Sequence, residues 1–226
     1  MISTLVKMVI AQDKFPQTVH ELKESMDDFV RQSIFDFEPA QYVDRTQLPE
    51  WLDGEVVDVL QASPRGMHRF SRWLLQHFQL GESDVPFLYR LALLDRSTLE
   101  TLCFYVGLVL TSPRIKTIIL KKDLDPIKAA IGEPGYLFAI KRAPLYITFL
   151  PDVETPKIVD WTRENVVAVG LPWLCKALSG APQPLLQRFA LKWPKNTTLP
   201  LSTTPDSHRD NSLRLFYRLL VKELSA

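Results

Sequence analysis

Chemistry in a chain of 226 residues has to start from groups that can hold a charge, a metal or a nucleophile, and here those groups are scattered. The four histidines are His20, His68, His77 and His208. His68 and His77 share one helical segment, but nine positions at about 100° each turn them to opposite faces, so that helix cannot bring both to one metal. No HExxH, GxGxxG, P-loop or GxSxG pattern occurs, which removes the usual signals of zinc hydrolysis, nucleotide binding and serine catalysis. Glu21, Glu24 and Asp28 share a helical face as paired catalytic carboxylates do. Nothing apolar surrounds them to raise a pKa, so they read as a solvated acidic face. Cys103 and Cys175 stand alone in "TLCFYVGLVL" and "LPWLCKAL". Apolar neighbours raise a thiol's pKa, so both read as core residues, and a reducing compartment suits them. These readings supply no catalytic residue, no cofactor and no metal site.

The cations are the remaining candidates. Arg114, Lys116, Lys121 and Lys122, with Lys141 and Arg142 further on, make one basic patch, and Arg214, Arg218 and Lys222 make a second on the last helix. The plain reading of each is solvated surface, and near a helix C-terminus such cations also offset the dipole. The sharper reading is a face for phosphates or for an acidic protein. Lysine plus arginine at 27 against 26 acids leaves a charge of +1, with no global field to gather nucleic acid or an anionic membrane. A nucleic-acid partner is therefore not expected.

The elements that must position these groups read as helices. Hydrophobic residues at 46% and charged ones at 23% are values of a globular chain. Apolar residues recur at helical spacing in Val19, Leu22, Met26 and Phe29, in Met67, Phe70, Leu74 and Phe78, and in Leu213, Phe216, Leu220 and Leu224. Thr18 with Glu21, and Ser97 with Glu100, match the S/T-x-x-E capping box. Of the 17 prolines, those in Ser63-Pro64, Ser112-Pro113, Asp125-Pro126, Thr155-Pro156 and Thr204-Pro205 follow a capping residue and are expected to open helices.

The expected fold is all-α: a mainly α-helical single domain, with residues 1–33 as an N-terminal helical extension and 34–226 as the body. "GYLFAIKRAPLYITFL" from Gly135 mixes strand formers with Pro144, which a central strand excludes. It is read as helix, with a short β-hairpin at 135–150 as the alternative. Pro194 to Asp210 reads as a mobile loop. "FEPAQYVDRTQLPEW" reads as a clasp in which Phe37, Tyr42, Leu48 and Trp51 pin a proline-stiffened segment to the body. The leading "MISTLVKMVI" has no basic start or cleavage site, and the longest uncharged run, Thr101 to Pro113, is shorter than the about 20 residues of a spanning helix. A soluble cytoplasmic protein is expected.

Four stretches carry a family resemblance: "FDFEPAQYVDRTQLPEWL" from Phe35, "LCFYVGLVLTSPRIKTIIL" from Leu102, "GLPWLCKALSGAPQPLLQRFALKWP" from Gly170 and "LFYRLLVKEL" from Leu215. In order and pattern they resemble the SctK family of bacterial type III secretion, which takes in YscK, PscK, OrgA and MxiK. The likeness runs from about Ile34 to Leu224. Val106 departs from the leucine usual before Gly107, and the Pro194 to Asp210 loop matches less well. The resemblance implies a non-enzymatic adaptor of the cytoplasmic sorting platform, at the cytoplasmic face of the inner membrane. Its implied partners are the cytoplasmic domain of the ring protein SctD and the pod protein SctQ, with the stator SctL and the ATPase SctN reached through SctQ. Another cytoplasmic helical protein-interaction module, or an enzyme with an unrecognised site, is the alternative.

Overall fold

A computed structural model describes residues 19–81, 85–150 and 153–224, with side chains from residue 27 onward except that of residue 87. The leading apolar segment, the Thr18–Glu21 box, and the side chains of His20, Glu21 and Glu24 lie outside it. Among the described residues there is no strand.

The axis of the molecule is α4 (Arg96–Thr117), which follows α1 (Val19–Phe37), α2 (Gly54–Gln61) and α3 (Pro64–His77). Helix α4 is apolar on nearly every side and correspondingly buried, from Leu99 through Val106 and Leu110 to Ile115. Its cap is Asp95, whose carboxylate accepts from the Thr98 N–H at 2.9 Å, so the cap lies two positions before Ser97, the one the capping box gives. Burial opposes ionisation of Asp95, but bonds from Ser97 and Thr98 outweigh it and hold the acid at about 2.

Ser112-Pro113 does not open a helix; it lies inside α4. Proline's missing N–H orphans the Val109 carbonyl one turn back, and the Ser112 hydroxyl donates to that oxygen at 2.9 Å. Among the five proline pairs, Ser63 caps α3 as expected, accepting from Gly66 N–H at 3.0 Å. Pro126 falls within α5 (Lys121–Leu137), Thr155-Pro156 lies in a stretch without regular secondary structure, and Thr204-Pro205 stands before the start of α9 (Arg209–Leu219). A cap-proline pair is a local signal, and it is overridden where packing continues the chain in another direction.

Residues 135–149 are helical throughout: the end of α5, a π turn (Phe138–Arg142), α6 (Ala143–Tyr146) and a 3-10 turn (Ile147–Phe149), with Leu150 in a bend. The π turn sits just before Pro144, and its widened ring, closed by Ala143 N–H on the Phe138 carbonyl, accommodates the proline without ending the helix. Within α5, Gly132 at φ 72 and ψ 163 makes a kink in a region essentially reserved to glycine.

Helix α7 (Arg163–Ala177), capped by Thr162, packs along α4 more extensively than any other pair of elements. The approach is set by glycines: Val166 O lies where a Cβ on Gly107 would sit, and Cys103 O where a Cβ on Gly170 would sit. Helix α9 then covers α7 and α4 with Leu213, Phe216 and Leu219, as its apolar stripe requires. The stretch before α9 carries no helix and is tied to the body by Gly180 N–H on Ser202 O at 2.9 Å, Asp206 N–H on Ser179 Oγ at 2.7 Å and Lys195 N–H on Thr46 Oγ1 at 2.9 Å.

A second, smaller core joins Val57 of α2 to Phe70 and Leu74 of α3 over Ala40. Between the two cores runs the clasp, and it differs from expectation. Tyr42 does pin it, stacked on Phe35 with centroids 5.6 Å apart and its hydroxyl donating to Phe35 O at 2.8 Å. Phe37 and Trp51, however, are 58% and 71% exposed. Their place is taken by two buried cations one turn apart on α8 (Gln183–Leu191) and its C-cap. Arg188 donates to Phe35 O at 3.2 Å, to Asp36 O at 3.1 Å and to Gly81 O, with the Asp36 carboxylate 3.8 Å away. Lys192 donates to Ala92 O and Leu94 O, each at 2.7 Å, beneath the rings of Phe35 and Tyr42. The chain is clasped by backbone carbonyls gathered on two side chains.

Burial pulls the Lys192 amine down to about 7, against the pull of Asp95. The direction fits the geometry, since a neutral amine has two N–H groups for the two carbonyls. In the unfolded chain a lysine titrates near 10.4. The unfolded state therefore binds the extra proton between those values, and stability rises with pH across the window, by up to about 1.4 kcal/mol per unit. Relative to Lys192→Met, the wild type should gain about 2 to 3 kcal/mol from pH 7 to pH 9 in urea titrations. A difference that stays flat over that range would mean that the buried amine keeps its charge.

Candidate partner-binding surfaces

The corner between α4 and α5 breaks two local rules at once. Leu120 occupies the N-cap of α5, where Ser, Thr or Asp would supply a side-chain acceptor, and it makes no capping bond. Lys121 and Lys122 then stand in the first turn, where the helix dipole disfavours cations, with Asp123 as the first-turn acid. Ile119 is 92% exposed and Leu120 56%. Lys116, Lys121 and Lys122 are exposed around them and make no ion pair with a described residue. Ile119 and Leu120 are thus apolar side chains held out in water beside exposed lysines, which makes the corner a candidate docking face.

Arg114 is set apart from these lysines. It is half-buried, and its Nη1 is buried without a hydrogen-bond partner among the described residues. Arg142 leaves the group altogether, because its Nη1 pairs with Glu223 at 2.8 Å and its Nη2 reaches Lys222 O at 3.5 Å. Tyr146 donates to the same glutamate at 2.7 Å, and burial together with that carboxylate pushes its phenol up to about 12. The 138–146 segment is thus fastened to the C-terminal turn. On α9 itself Arg214 is exposed, Arg218 lies 5.5 Å over the Phe149 ring, and Lys222 is exposed beyond it. The C-terminal stripe partly serves packing, whereas the α4–α5 corner stays free.

For catalysis the geometry offers little to work with. Cys103 and Cys175 are buried, and burial pushes both thiols up, Cys175 to about 12. Among the described residues no three His, Cys, Asp or Glu side chains converge on a metal-sized position, and no helix is long and apolar enough to cross a membrane. His68 bonds to Arg72, His77 stacks on Trp73, and His208 packs edge-on to Trp173. Asp28 pairs with Arg90 at 2.6 Å.

Two features escaped sequence reasoning. Arg188 and Lys192 sit in the apolar run "LLQRFALKWP", and a charge placed there was the available signal of a buried staple. The other is the outer face of α3, where Arg65, Arg69 and Arg72 fall in a stretch with no acid between Asp58 and Glu82.

Among the described residues the protein is an all-helical body with two apolar cores, basic side chains as internal staples and exposed apolar-cationic edges. The chain belongs to the YscK family, described as YOP proteins translocation protein K, whose pattern matches residues 31–225. Among solved structures it is similar to the cytoplasmic domain of the T3SS sorting platform protein PscK from P. aeruginosa. That likeness has a TM-score of 0.59 and 20% identity, over 84% of this chain and 93% of that one, so it shows a shared fold. No curated protein matches the chain.

Proposed function

We propose that this protein is a non-enzymatic adaptor of a type III secretion sorting platform, working at the cytoplasmic face of the inner membrane. In this reading it links the cytoplasmic domain of SctD to SctQ, and through SctQ to SctL and SctN. The observation that carries it is the family match across residues 31–225, and the PscK-like fold supports it. Physically, a connector must transmit position between two faces, which a close-packed helical interior does because it resists deformation. The α4–α5 corner is the first docking face in this proposal and the Arg214, Arg218 and Lys222 stripe the second.

The test is capture of purified SctD cytoplasmic domain and SctQ, separately and together. The triple reversal of Lys116, Lys121 and Lys122 to Glu, and Ile119→Asp alone, should each weaken capture of one partner at least tenfold and spare the other. Truncating an apolar anchor ringed by charges commonly costs 2 kcal/mol or more, while each rim charge alone costs less. Reversal of Arg214 and Arg218 should act on the second partner. If neither partner is retained at micromolar concentration, the adaptor reading fails.

A further inference from the structure

The outer side of α3 carries a row of cations that the fold does not use. Arg65, Arg69 and Arg72 stand at i, i+4 and i+7, all exposed. None forms an ion pair with a described residue; Arg72 has a 3.3 Å bond to His68 on the same face. Along the flank of this row lies an aromatic edge. Trp73 is stacked on His77 with centroids 4.7 Å apart, and Trp51 meets Trp73 edge-on at 5.8 Å while remaining 71% exposed.

Each part of this surface disfavours the isolated protein. Like charges one turn apart repel, Arg65 sits in the first turn against the helix dipole, and an exposed indole leaves a large apolar area in water. An acidic, partly apolar ligand relieves all three at once. Arginine and tryptophan are also the side chains most enriched where protein interfaces concentrate their energy.

The charge pattern also selects the kind of partner. Glu50 and Glu55, close to Trp51 in the chain, are exposed as well, so the segment that carries Trp51 is acidic while α3 presents arginines. A polyphosphate or an anionic bilayer presents one sign everywhere and would meet those carboxylates, and a chain of net charge +1 has no wider field to overcome them. A protein helix can vary its charge from face to face. We infer that the α3 face with Trp51 docks an acidic amphipathic helix of a partner protein, its carboxylates on Arg65, Arg69 and Arg72 and an apolar side chain against the Trp51–Trp73 edge. This surface is distinct from the α4–α5 corner, and the inference stands or falls independently of the capture of SctD and SctQ.

The probe is a fluorescein-labelled amphipathic helical peptide, glutamate on one face and leucine on the other, titrated with the full chain by anisotropy. A lysine-leucine peptide, phosphatidylglycerol vesicles and a single-stranded 20-mer serve as competing ligands. The acidic peptide should bind, and R65E/R69E/R72E and Trp51→Ala should each weaken it at least tenfold with Tm unchanged, as expected of exposed residues. The inference is overturned if the acidic peptide does not bind at 100 μM, or binds equally to both variants. Binding of vesicles or the 20-mer through the same arginines, in place of the peptide, overturns it as well.

Discussion

Gly170→Ala should cost about 3 kcal/mol or more of stability and lower the melting temperature by roughly 10 °C. The added Cβ would lie 2.0 Å from the Cys103 carbonyl oxygen and 2.7 Å from its carbon, and backbone inside a buried helix cannot rotate away as a side chain would. Helices α4 and α7 would have to separate, opening the main core along their whole contact. Alanine's better helix propensity returns only about 1 kcal/mol. Gly107→Ala meets Val166 O at 2.1 Å across the same seam and should cost a similar amount. Once one alanine has parted the helices, the second meets less resistance, so the double variant should cost clearly less than the sum. Gly54→Ala, with only the Arg45 guanidinium 4.0 Å away, is the control and should be near neutral. Urea unfolding of the wild type and the four variants decides the matter, and a Gly170→Ala protein within about 0.5 kcal/mol of wild type would refute the seam.

Arg188→Leu should be comparably severe, about 3 to 5 kcal/mol, for a different reason. The leucine keeps apolar volume but supplies no N–H to Asp36 O or Gly81 O, leaves Phe35 O with the Tyr42 hydroxyl alone, and removes the cation beside the Asp36 carboxylate, which keeps its bond from the Gln32 amide. Buried acceptors left without donors carry their full desolvation cost. Arg188→Lys should recover only part of the loss, because an ammonium on a flexible stem cannot meet three carbonyls in the guanidinium's fork geometry. Hydrogen exchange adds a local reading: protection should fall first in residues 35–47, the clasp that Arg188 holds. Uniform loss across all helices, with the clasp no worse than the rest, would assign Arg188 a general packing role.

Both predictions rest on features that are visible in the sequence only as letters. Gly107 and Gly170 stand far apart along the chain, and nothing near either says that it faces the other. The proline pairs show the converse. Ser112-Pro113 carries a strong local signal of a helix start, yet the Ser112 hydroxyl repairs the carbonyl that Pro113 orphans, and α4 continues. Ser97 and Glu100 form a plausible capping box, but Asp95, two residues earlier, makes the cap and Glu100 pairs with Arg96 at 2.6 Å instead. Strand formers in 135–150 gave way to helix because the π turn makes room for Pro144.

In the clasp, the sequence pointed to Phe37, Tyr42, Leu48 and Trp51, and two of the three aromatics, Phe37 and Trp51, face water. The cations divide the same way. Arg114, Lys116, Lys121 and Lys122 form a single group in sequence, but Arg114 is half sunk into the end of α4 while the three lysines ring Ile119 and Leu120.

What the sequence determined by itself is the helical class and the family. The class depends on apolar residues at helical spacing, a local property of each segment, and the family on the resemblance carried by four stretches in order, which the family match over residues 31–225 bears out. The spacing placed α3 through Met67, Phe70 and Leu74, and α9 through Leu213 and Phe216, because one buried stripe suffices to define each. Only the tertiary structure decided which charges are staples and which are free. Arg188 and Arg69 are the same residue, each followed by a phenylalanine in the chain, yet one is enclosed by three carbonyls and the other stands in solvent. The difference lies in what segments distant in sequence bring to each side chain, and burial is a property of that assembly.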